Sequence, residues 1–176
     1  MKRFTLVTAV LVVAGLAAAP AAFAATTGTA NVTLAASAQA MVQILDPTLT
    51  LTPTPTDYDN DYVEATGASG LRVRVKTNSS TGMALFVRCA DAVPQIALAD
   101  LLVRTATAAG TGGTTLASYS AVTAANQQLW STTVAQHAWA TVTTDVRVQN
   151  LINYDDAITA GTTNYTTTLT DTVVAQ

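Results

Sequence analysis

The sequence predicts an all-β protein built from antiparallel strands, and three observations carry that expectation. Apolar residues alternate with polar or small ones at period two in five separate segments. β-Branched residues dominate most of those segments, which suits a pleated, half-buried surface. Clusters of Gly, Asn, Ser and Pro separate the segments at short intervals, as turns between strands require.

The chain opens with Lys2 and Arg3, an apolar run from Phe4 to about Ala19, and the tripeptide Ala22-Phe23-Ala24. A short cationic start, an apolar stretch and a small-x-small site make a secretory signal. The run is short for a membrane span. Residues 1–24 are therefore expected to be removed. Residues 25–176 are expected to form a single β-sandwich domain without a transmembrane segment, secreted, periplasmic or at the cell surface. Without Lys2 and Arg3, six basic residues face 11 acidic ones, a net charge of about −5. That balance opposes general binding to nucleic acid or anionic lipid. Charged residues are only 11% of the chain, so Thr, Ala and Ser must supply much of the surface. Cys89 is the single cysteine, which excludes an intramolecular disulfide and predicts a buried, inert thiol.

The first alternating segment spans residues 29–45. Val32, Leu34, Ala36, Ala38, Ala40, Val42 and Ile44 share one face, as one long strand or as two with a bend. Pro53 and Pro55 keep the stretch after it out of a central strand. Leu71, Val73 and Val75 then face one way, with Arg72, Arg74 and Lys76 opposite. Residues 77–82, Thr-Asn-Ser-Ser-Thr-Gly, look like a hairpin connection to the next strand, which aligns Met83, Leu85, Val87 and Cys89. Residues 94–105 read as a short helix after Pro94 or as a bulged strand, and 124–139 is equally ambiguous. Ala140, Val142, Thr144, Val146 and Val148 form the next inward row, opposite Asp145 and Arg147. A loop at 153–164 leads to a closing strand that aligns Tyr165, Leu169 and Val173. About seven to nine short strands with regular turns imply an antiparallel, immunoglobulin-like β-sandwich. Long loops and paired aromatic girdles are lacking, which argues against an outer-membrane barrel.

Asp57, Asp59, Asp61 and Glu64 crowd a short acidic stretch. The Asp-x-Asp-x-Asp spacing is one that calcium loops use, because alternate residues of a tight loop converge oxygens on one ion. An EF-hand would need Gly and Glu where Tyr62 and Ala68 stand. On a flat strand three like charges would lie about 7 Å apart and repel. A solvated acidic loop is the first expectation and a calcium site at these four residues the second; no other cofactor is expected. The row Arg72, Arg74, Lys76 would meet an acidic glycan or a neighbour's acidic loop, or would guard a strand against edge-to-edge pairing. His137 is the only histidine, and no Gly-x-Ser-x-Gly elbow exists to pair it with Ser131 or another serine. Trp130, His137 and Trp139 read as core or rim packing, or as a sugar-stacking surface. No enzyme is expected.

Two stretches resemble known surface proteins. "LRVRVKTNSSTGMALFV" is similar to the strand–Asn–turn–strand hairpin of secreted bacterial β-sandwiches. "NYTTTLTDTVVAQ" resembles the closing strand of the WxL surface-protein domain and of coat protein U and related archaic pilin-type proteins, where a Tyr precedes alternating Thr residues. Asp171 stands where WxL domains carry a Trp, and the upstream Trp-x-Leu is absent. The disulfide of many pilin-type subunits cannot form here. The resemblance implies an extracellular β-sandwich with an adhesive or structural role. The expected partner is a second copy or another surface protein, engaged when residues 29–45 or 164–175 dock as a strand on an exposed sheet edge. The alternative is a monomeric module that binds carbohydrate or calcium.

Overall fold

The computed structural model describes residues 31–154 and 165–176. The expected signal segment and most of the 153–164 loop lie outside the described residues. Ten strands are described: β1 Ala40–Ile44, β2 Tyr62–Ala65, β3 Leu71–Thr77, β4 Met83–Cys89, β5 Leu101–Ala108, β6 Thr114–Thr115, β7 Ser120–Ala121, β8 Gln127–Thr132, β9 Ala140–Gln149 and β10 Leu169–Ala175. One short helix, α1, spans Pro55–Asn60. The strands form two antiparallel sheets. One has the order β1-β3-β9-β5-β7 with β2 also on β9; the other has the order β10-β4-β8-β6. The expected β-sandwich is thus the observed fold. Its strand number slightly exceeds the expected seven to nine because β6 and β7 are two-residue pieces.

The core lies between the sheets, and the period-two rows fill it. Val73 and Val75 of β3, Met83, Leu85, Val87 and Cys89 of β4, and Ala140, Val142, Val146 and Val148 of β9 are all buried. β5 adds Leu101 and Val103, and β8 adds Leu129 and Trp130. Each of the Val, Leu and Met side chains among them contributes roughly 1.5–3 kcal/mol when fully withdrawn from water.

Several sequence expectations change. Among the described residues of the 29–45 alternation, only Ala40–Ile44 forms a strand, pairing with Thr77–Val73 of β3. Val32 and Leu34 are 95% and 87% exposed. Ala36 and Ala38 offer too little apolar area to hold the extended segment on a core. The unit that contains both sheets spans Ser37–Gln176. Residues 94–100 form no helix; Leu101–Ala108 is a strand on β9, with a register shift between Thr105 and Thr107.

The 77–82 connection is not a hairpin, because β3 and β4 lie in different sheets. The Thr77 N–H donates to the Gln136 carbonyl at 2.8 Å, and the Asn78 side chain holds the Ser37 carbonyl and the Gln39 N–H. These bonds draw the chain away from β3 before it can fold back. Gly82 then makes the crossing at φ +92°, where a Cβ would sit 1.9 Å from the Thr132 carbonyl oxygen. Only glycine fits that approach.

β9 is the longest strand and serves three neighbours. β3 pairs with Ala140–Thr144, β2 with Val146–Gln149, and β5 runs along the other side. β2 and β3 therefore share one flank of β9, separated by a 3-10 turn at Gly67–Ser69. The turn leaves the Gly67 N–H without a ladder partner, and Asp145 Oδ1 accepts it at 2.7 Å. A Cβ on Gly70 would meet the Thr144 carbonyl oxygen at 2.4 Å, so the turn lies flat on β9.

Candidate functional site

The acidic stretch divides between three local structures. Pro55 opens α1, where its missing N–H costs nothing. Asp57 caps the helix: its Oδ2 accepts from Thr54 N and from Thr54 Oγ1, both at 2.7 Å. The Thr54 bonds hold the Asp57 carboxyl below its ordinary range. Asp61 ends the helix in the left-handed region at φ 60°, a conformation that Asp tolerates better than most residues. Glu64 lies on β2 and is committed elsewhere, its Oε2 accepting from Arg147 Nη2 at 2.7 Å and from Tyr119 Oη at 2.9 Å. Asp57, Asp59, Asp61 and Glu64 therefore do not converge. Among the described residues no group of three or more His, Cys, Asp or Glu side chains is placed to hold a metal ion.

The outer face of the larger sheet is a run of stacked cations and rings. Arg147 lies over Tyr62 at 4.1 Å and over Tyr119 at 4.2 Å, and Arg104 lies over Tyr119 at 4.5 Å. Arg104 Nε also donates to the buried Asp145 carboxylate at 2.8 Å. Burial, then the bond to Glu64, pushes the Tyr119 hydroxyl up to about 12. Tyr154 is pushed up to about 12 in the same way, by burial and then by its bond to Asp100. These polar groups satisfy one another, and their arrangement is that of a clamp over the sheet.

Towards the start of β9, Arg74 and Lys76 stand over the Trp139 ring at 4.7 and 4.6 Å. Arg74 Nε donates to Gln43 Oε1, and Arg72 forms an ion pair with Asp46 at 2.7 Å. The cationic row belongs to β3, which β1 covers, so it does not guard a free edge. Trp130, His137 and Trp139 are dispersed between core and rim, the first of the two readings of these residues. Trp130 is 1% exposed and belongs to the core, Trp139 lies beneath two cations, and His137 is exposed in a shallow groove with Gln39, Met41, Lys76 and Asn78. Ser131 Oγ accepts from Gln128 Nε2.

Two edges carry the alternating segments that the sequence singled out. β1 closes one side of the larger sheet and β10 closes the smaller sheet, and the two strands lie close together. In the register of β10 on β4, Leu169, Asp171, Val173 and Ala175 stand opposite Cys89, Val87, Leu85 and Met83. Asp171 thus occupies the inward row, next to a Val that is 2% exposed. It lines a cavity of about 10 Å³ with Leu71, Val73, Val87, Leu129, Thr144 and Leu169. Burial pushes the Asp171 carboxyl up to about 6. Asp171 was absent from the sequence-derived sites, although counting two residues on from Leu169 finds it.

Among the described residues, no helix is long and apolar enough to cross a membrane. No family model matches the chain, and neither a curated protein nor a solved structure gives a significant match.

Proposed function

We propose that this is an exported structural or adhesive surface protein whose copies associate by β-strand pairing. The observation that carries the reading is the pair of neighbouring edge strands, β1 and β10, in a chain that also carries an alternating segment whose Val32 and Leu34 are left in water. An edge strand presents unpaired N–H and C=O groups, and an alternating segment of another chain can satisfy them while its apolar side chains seek cover. Residues 29–36 have that pattern, with Val32, Leu34 and Ala36 on one face. Export rests on the Lys2–Ala24 pattern, and cleavage after Ala24 would free this segment close to a new N-terminus.

The test compares residues 25–176 with residues 37–176 by light scattering over a wide concentration range. The shorter chain keeps β1 and so keeps the whole sandwich. Association of the longer chain and a monomeric shorter chain support the proposal. Strictly monomeric behaviour of both at millimolar concentration overturns it.

A further inference from the structure

The inward rows of β3, β4, β5 and β9 carry no carboxylate, whereas the inward row of β10 carries Asp171. β10 is also an edge strand, held through its ladder by β4 alone. Among the described residues no hydrogen bond or ion pair reaches the Asp171 carboxylate. The adjoining cavity has room for at most one water.

The surroundings offer no compensating charge. β4 faces Asp171 with Val87 and, one inward place along, with the Cys89 thiol, the only titratable group in that row. β3 contributes Leu71 and Val73 and turns Arg72, Arg74 and Lys76 to the outer face. β8 contributes Leu129, and β9 contributes Thr144 while its Asp145 and Arg147 lie on the far side. β1 carries no titratable residue. Asp171 is partly rather than fully withdrawn from water; in such a row a carboxylic acid is tolerated neutral, and its ionised form is less well hydrated than in the open.

We propose that Asp171 makes β10 a releasable strand: ionisation of its inward carboxylate loosens β10 from β4 and bares the β4 edge to a strand of a second copy. Lifting β10 hydrates the carboxylate fully while exposing Leu169 and Val173, which, like Asp171, are only partly buried. The cost of leaving is therefore lower than for a strand such as β9. Charges turned inward on edge strands are a known means of governing edge pairing. The second step rests on the strand-pairing reading above; the first does not.

The experiment is amide exchange on residues 25–176 at a concentration where the chain is monomeric, comparing β10 with β9 and correcting for intrinsic exchange. Burial holds the Asp171 carboxyl near 6 in the docked strand, against 3.8 for the ordinary group. The opening equilibrium of β10 should then rise roughly 30-fold from pH 4.5 to 7.5 relative to β9. Asp171→Asn should abolish the rise, and Asp171→Leu should abolish it and add protection at pH 7.5. A pH-independent β10 in the unaltered chain, or the same rise in Asp171→Asn, overturns the proposal. Should β10 open with pH while light scattering shows no association at any pH, the strand-pairing reading falls and release of β10 stands.

Discussion

Asp145 joins Arg104 across the β5–β9 ladder, its Oδ2 accepting the Arg104 Nε–H at 2.8 Å while Oδ1 takes the Gly67 N–H at 2.7 Å. One carboxylate thus ties three segments: β5, β9 and the turn between β2 and β3. It is among the most buried side chains on the outer face of the sheet, at 1% exposure. Replacing it with Ala would strand a backbone donor and a guanidinium. Asp145→Ala should cost about 3 kcal/mol in urea unfolding, and Asp145→Asn less, because the amide oxygen can still accept one of the two bonds.

Gly82→Ala tests the crossing between the sheets. The added Cβ would fall 1.9 Å from the Thr132 carbonyl oxygen, and the backbone sits at φ +92°. Both penalties act at once, and neither neighbour is a flexible side chain. A loss above about 2 kcal/mol is expected. By contrast, Gly112→Ala at φ +52° meets nothing within 4 Å and should show the backbone penalty alone, near 1 kcal/mol.

The pH dependence of Asp171 runs opposite to that of the paired carboxylates. Its folded-state value lies above the ordinary one, so the native protein binds the extra proton. Its penalty is absent below about pH 3.8 and complete above about pH 6. Stability should fall by about 2 kcal/mol between pH 4.5 and 7.5 from this group, read as the difference between the unaltered chain and Asp171→Asn. Asp46 and Asp57 are lowered, by Arg72 and Thr54 respectively, so their contributions disappear as the pH falls. Taking the difference between the two chains cancels those terms.

Calcium offers a further check. A site built from Asp57, Asp59, Asp61 and Glu64 would raise Tm by mass action. With Asp57 capping α1 and Glu64 held by Arg147, no rise is expected at millimolar calcium. A rise that disappears in Asp59→Asn would show that the segment rearranges around the ion.

Much of the sandwich was legible because burial at every second residue is a local pattern. The rows Val73–Val75, Met83–Cys89 and Ala140–Val148 could be read directly, and the structure buries them as read. The partners of these rows were not legible. The 77–82 segment has hairpin composition, yet its path depends on bonds to Gln39 and Gln136, residues distant in sequence. The acidic stretch could not be placed by spacing alone, since Asp-x-Asp-x-Asp fits a helix cap and its exit as well as a loop. The ladder of Arg104, Arg147, Tyr62 and Tyr119 gathers four segments and has no signature in any one of them.

The two tryptophans stand in unlike settings, and that difference is useful in the laboratory. Trp130 is sealed beneath Gly110 and Gly113, where any Cβ would strike its indole, whereas Trp139 sits under Arg74 and Lys76 near the surface. Emission from Trp130 should be blue and deaf to iodide. Trp139 should be redder and quenchable, so a single spectrum can report separately on loosening of the outer face and on loss of the interior.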